Sequence, residues 1–143
     1  MSRGIFFWGF ALVLACVFYI IPIGRTPAGD NPKTAIRELL LEKQKTAQQL
    51  HDLYEQWVNQ GKLEAADTKH LEASKRLLDS EIDLSETQAQ RIAAWEKYRS
   101  RARNVEQSVK DQFRLGRITP ERYYEAKYRL LEAEVGLAKA KNK

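Results

Sequence analysis

The chain has 143 residues and a formal net charge of +5, with 30% charged residues, which leaves room for one domain at most. Basic and acidic residues are interleaved without a basic block, so we expect no nucleic-acid ligand. The sequence shows no catalytic or phosphate-binding motif, so we expect no small-molecule substrate either. Cys16 is the only cysteine, which excludes a disulfide within the chain. The histidines, His51 and His70, have no cysteine or third histidine near them, so we expect helix-surface residues, no metal site and no cofactor.

The N-terminal segment is uncharged from Ile5 to Ile23, close to the roughly 20 residues that a helix needs to cross a bilayer. We therefore predict a transmembrane signal anchor over residues 1–24. Two alternatives stay open: a signal peptide cleaved after Ala28, and a lipoprotein signal that ends at Cys16. The apolar stretch is longer than the core of a cleaved signal peptide and continues beyond Cys16, which favours the anchor.

The charges beside this segment give its orientation only in part. Arg3 precedes it, whereas Arg25, Lys33 and Arg37 follow it, and this count favours a cytoplasmic C-terminal side. A short N-terminal tail with one positive charge is, however, typical of an exported protein. The charges alone leave both orientations open.

Residues 25–32 contain two prolines, one glycine, an Asp and an Asn, which predict an irregular linker. In the remainder, residues 33–143, apolar residues recur every three or four positions, as in helices that pair through one face. We predict an all-α fold with three helices, at about 33–59, 64–114 and 119–141.

The sequence has few helix breakers after the linker. Gly61 and Gly116 separate the predicted helices, and Pro120 suits the first turn of the last one. Between the two glycines we expect one continuous helix. The stretch DLSETQ offers an alternative, a break at which Ser85 and Gln88 form a capping box.

The helical part contains a two-fold repeat of helix, glycine turn and helix. Gly61-Lys62-Leu63 aligns with Gly116-Arg117-Ile118, and the block RLLD at 76–79 aligns with RLLE at 129–132. One narrow amphipathic helix cannot bury its apolar face alone. We therefore predict that each unit folds into an antiparallel hairpin, with the outer helices lying end to end along the shared middle helix.

The last unit carries the pattern Gly-basic-apolar followed by YEAKYRLLEAEVGLAKA. This pattern resembles the helical repeat of TolC-type outer-membrane efflux proteins, over about residues 45–141. The resemblance implies an exported, periplasmic stack of helical hairpins that packs with itself or with other envelope coiled coils. TolC-type proteins are about three times longer and contain outer-membrane strands, which this chain lacks, so a pore is not implied.

No phosphate loop or nucleophile motif is present, and we predict no catalytic or cofactor-binding residue. The tyrosines Tyr123, Tyr124 and Tyr128 follow the second glycine turn; they either fill the helix interface or form a patch for a protein partner. We therefore expect a non-enzymatic, single-pass inner-membrane protein with a periplasmic coiled-coil domain and a structural or interaction role, which the resemblance associates with TolC-like efflux assemblies. The alternatives are a phage spanin-like lysis protein and a cytoplasm-facing scaffold for anionic lipid or nucleic acid.

Overall fold

The computed structural model describes residues 32–142, which form four α-helices. They are α1 Pro32–Asn59, α2 Thr68–Asp83, α3 Gln88–Arg114 and α4 Pro120–Lys141. These residues contain no strand, and the predicted all-α class is confirmed. None of the four helices is long and apolar enough to span a bilayer. The predicted transmembrane segment, residues 1–24, and the linker as far as residue 31 lie outside the described residues.

Two glycine corners turn the chain back, one after α1 and one after α3. Gly61 and Gly116 both have a φ of 68°, a left-handed conformation that side chains with a Cβ rarely adopt. At the first corner the Lys62 amide donates to the Trp57 carbonyl at 2.9 Å, and at the second the Arg117 amide donates to the Gln112 carbonyl at 3.0 Å. Both corners are therefore Schellman motifs, which satisfy carbonyls that the helix end would otherwise leave unpaired.

The predicted continuous middle helix is wrong, because it is broken into α2 and α3. Residue Asp83 ends α2, and Thr87 caps the start of α3. The Thr87 hydroxyl accepts from the Gln90 amide at 3.2 Å, and the Gln90 side chain accepts from the Thr87 amide at 3.0 Å. These two reciprocal hydrogen bonds form a capping box. It begins at Thr87, two residues after Ser85, at which the sequence suggested a capping box as the alternative.

Consecutive helices are antiparallel. The α1–α2 pair is joined by a Lys43–Asp83 ion pair of 2.7 Å at one end. The α3–α4 pair is joined at one end by stacking of the Phe113 and Tyr123 rings, whose centroids lie 4.9 Å apart. Because the chain also turns back after Asp83, α2 packs against α3. The sequence predicted that the outer helices α1 and α4 would lie end to end along one continuous middle helix. This prediction is wrong, because the middle helix is broken and α2 and α3 lie side by side.

The core lies among α2, α3 and α4. Its larger cluster contains Leu78 from α2, Tyr98 and two alanines from α3, and Ala133 from α4. Leu78 and Ala133 are both 0% exposed, and small residues on α4 let it approach α3 closely. By contrast, α1 contacts mainly α2, so much of its surface stays exposed.

Candidate functional site

The three tyrosines that the sequence grouped as a partner patch differ in burial, although the ring centroids of Tyr123 and Tyr124 lie only 5.3 Å apart. Tyr123 is partly buried and packs against a cluster that contains Val109 and Ala126. Tyr124 and Tyr128 are 61% and 60% exposed. Only these two tyrosines are therefore available on the surface of α4.

Two further apolar residues continue this surface along α4. Leu131 and Val135 are 50% and 53% exposed. The four positions 124, 128, 131 and 135 step by four, three and four residues, so at 3.6 residues per turn they lie on one face of the helix. We call Tyr124, Tyr128, Leu131 and Val135 the α4 stripe. Leu131 and Val135 were not among the residues that the sequence singled out.

The α4 stripe lies on the opposite side of α4 from the core. The buried residues of this helix are Ala126, Ala133, Gly136 and Leu137. At 100° per residue their mean direction is about half a turn from that of the stripe. The helix thus has two apolar faces, one packed in the bundle and one exposed.

Charged residues flank the α4 stripe with alternating sign. Lys127 and Glu134 lie along one edge, and Glu132 and Lys139 lie along the other. In the heptad that places Tyr128 and Val135 at a and Leu131 at d, these are the g and e positions, which set partner choice and orientation in paired helices.

The two histidines are not on the helix surface, contrary to the expectation from sequence. His51 of α1 is 7% exposed and His70 of α2 is 2% exposed. The first glycine corner folds α2 back along α1 and brings both rings beside Glu55, which lies one turn after His51. Their ring centroids are 6.1 Å apart.

His70 has a hydrogen-bond acceptor at each ring nitrogen. Its Nδ1 lies 2.8 Å from the carbonyl oxygen of Ala65, and its Nε2 lies 2.9 Å from Oε1 of Glu55. A carbonyl oxygen only accepts, so Nδ1 carries a proton and donates it. In the neutral ring Nε2 then has a lone pair that faces the carboxylate. Two facing acceptors at this distance require something between them, either a proton held by one of the two groups or a metal ion.

His51 has no hydrogen-bond partner at either ring nitrogen within residues 32–142. Its Nε2 lies 3.7 Å from Oε1 of Glu55, and its Nδ1 lies 3.6 Å from Oδ1 of Asp52. Burial, followed by the charge of Arg101, lowers the pKa of His51, so the ring favours its neutral form. A buried polar ring without a partner costs free energy, which makes this position a candidate for a ligand.

The surroundings of the pair are polar and closely packed. Arg101 of α3 donates from Nε to the Ser74 hydroxyl at 3.1 Å, and its Nη2 lies 3.9 Å from Oε2 of Glu81. A cavity of about 10 Å³, lined in part by Glu55, His70 and Arg101, offers roughly the room of one water molecule. Glu55 is 39% exposed, so the carboxylate connects the buried rings to solvent.

Comparison with known proteins adds no relative: no family model, no curated protein and no solved structure matches the chain.

Proposed function

We propose that this chain is a non-enzymatic, membrane-anchored helical protein of the bacterial envelope, which associates with a second copy of itself through the α4 stripe. The apolar segment of residues 1–24 supplies the anchor. The observation that carries the proposal is an exposed apolar face with the three-and-four spacing of paired helices, on a helix whose other face is already buried.

Charge complementarity supports a second copy aligned in parallel. In a parallel pair each g residue faces the e residue five positions further along the partner helix. Lys127 then faces Glu132, and Glu134 faces Lys139, so both pairs have opposite charge. Val135 at an a position and Leu131 at a d position also favour two-stranded pairing. In the antiparallel arrangement that places Tyr124 opposite Val135, Lys127 would face Glu134 but Glu125 would face Glu132, so only the parallel arrangement gives opposite charges in both pairs.

The area of the α4 stripe is consistent with a weak interface. Four apolar side chains that are at least half exposed give roughly 400 Å² per copy, and about twice that when paired, which is below the usual size of a stable interface. A shared membrane raises the effective concentration of two copies, so that a weak contact suffices. A parallel pair also places both N-terminal segments at the same end, as two anchors in one membrane require.

The envelope location makes a prediction about topology. With alkaline phosphatase, which is active only in the periplasm, fused after Lys143, we expect active enzyme in intact bacteria, because the resemblance to TolC-type repeats favours export. A matched fusion to a fluorescent protein that matures only in the cytoplasm should stay dark. A dark phosphatase fusion together with a bright fluorescent one would place the helices in the cytoplasm and support the scaffold alternative.

A further inference from the structure

We propose that His51, Glu55 and His70 form a binding site for a divalent transition-metal ion of the zinc class. The site is independent of the α4 stripe, since it lies between α1 and α2 near the first glycine corner. A bound ion would join the two helices of the first hairpin.

The geometry of the three residues fits such an ion. One ligand atom from each residue lies within 4.8 Å of the other two. Oε1 of Glu55 is 2.9 Å from Nε2 of His70 and 3.7 Å from Nε2 of His51. Tetrahedral zinc with bonds of 2.0–2.2 Å separates its ligand atoms by about 3.4 Å, a value between the two distances. The two histidine nitrogens lie within 4.8 Å of each other, so metal binding would require them to approach by at most about 1.4 Å.

The hydrogen bonds prepare the rings for a metal. The bond from Nδ1 of His70 to the Ala65 carbonyl fixes the tautomer in which Nε2 carries the lone pair, as the outer partners of metal-bound histidines do. The ion would also supply a partner for His51, which is 7% exposed and has none among the described residues. A proton shared between His70 and Glu55 would explain the contact between these two residues, but it would leave His51 without a hydrogen-bond partner.

The donor set selects the class of ion. Two imidazole nitrogens and one carboxylate suit zinc and similar divalent transition metals, whereas Mg²⁺ and Ca²⁺ prefer oxygen ligands. Three protein ligands leave a fourth position for water, which the solvent-facing side of Glu55 allows. The positive charge of Arg101 acts against a cation, but Glu81 on α2 partly offsets it.

The test uses the full chain without a histidine tag, in mild detergent, with Zn²⁺ as the probe. Isothermal titration should show one Zn²⁺ per chain with micromolar or tighter affinity and no heat from Mg²⁺. His51→Gln, Glu55→Gln and His70→Gln should each weaken Zn²⁺ binding by at least about tenfold. The matched control Glu72→Gln changes an exposed glutamate on α2 that pairs with Arg76, and it should bind like the wild type. Circular dichroism checks that each variant is folded.

A second measurement on the wild-type chain does not depend on the variants. X-ray absorption at the zinc edge should show two imidazole ligands among light-atom neighbours. The proposal is overturned if the wild type does not bind Zn²⁺, if binding survives unchanged in the three site variants, or if the spectrum shows fewer than two imidazoles.

Discussion

Replacing Tyr128 and Leu131 together by glutamate is expected to weaken self-association of the full chain in detergent by at least about 30-fold. Each copy would place two charges at the centre of an apolar contact, and losses of 2 kcal/mol or more are typical of central anchor residues. The two side chains are 60% and 50% exposed within one copy, so the fold itself should change little. Sedimentation equilibrium over a range of protein concentrations measures the dissociation constant.

The matched control introduces the same two charges on another helix. Ile36 and Leu39 of α1 are 58% and 62% exposed and lie outside the α4 stripe. Changing both to glutamate should leave association unchanged. If this control dissociates the pair and the α4 variant does not, the interface lies on α1 and the assignment of the stripe is wrong.

Reversed charges test the orientation of the pair. Glu134→Lys should weaken association by a few-fold, because it brings two lysines together at each edge of a parallel pair. Adding Lys139→Glu to the same chain should restore it. The Arg103–Glu134 contact within one copy is 3.7 Å long and exposed, so its loss should cost little stability.

Leu78→Ala is expected to lower the free energy of unfolding by about 3–5 kcal/mol, which is a large share of the stability of a small domain. Leu78 is 0% exposed and contacts residues of both α3 and α4, so its truncation leaves a cavity where three helices meet. Urea unfolding of the full chain, followed by circular dichroism, measures the change.

Leu131→Ala is the matched control for this prediction, because it removes the same atoms from a residue that is 50% exposed. At a protein concentration too low for association, it should cost under about 1 kcal/mol. Equal losses for the two variants would mean that Leu78 is not buried against α3 and α4 as described.

The parts of the fold that depend on local chemistry could be predicted from sequence. Gly61 and Gly116 each follow a helical stretch and precede a basic and an apolar residue, a pattern that predicts a left-handed corner. Pro120 suits the first turn of α4, where no amide hydrogen bond is needed. These signals are strong because each acts within a few residues.

The break between α2 and α3 could not be decided in the same way. The residues from Asp83 to Gln88 contain no glycine or proline. A capping residue stabilises a new helix start by only about 1 kcal/mol, which is too little to decide between a break and a continuous helix. Burial of Leu78 against α3 and α4 favours the broken form, and that contact is between residues far apart in sequence.

The histidine pair was missed for a related reason. His51 and Glu55 are one turn apart on α1, but the position of His70 opposite them depends on the loop between α1 and α2. The sequence placed the start of α2 at about residue 64, whereas it begins at Thr68. An error of four residues moves a side chain by about one turn along the partner helix, too far to identify a ligand set.

Disulfide crosslinking in membranes tests the parallel pairing of two copies through α4 most directly. In a chain with Cys16→Ser, we predict that Tyr124→Cys and Val135→Cys each form a covalent dimer on oxidation, because in-register helices bring each position opposite its own copy, within the 7 Å that a disulfide can bridge. The control Leu39→Cys, equally exposed on α1, should stay monomeric. The account is contradicted if neither α4 variant crosslinks, if Leu39→Cys crosslinks as well as they do, or if dimers form only when the two α4 variants are mixed, as antiparallel helices would require.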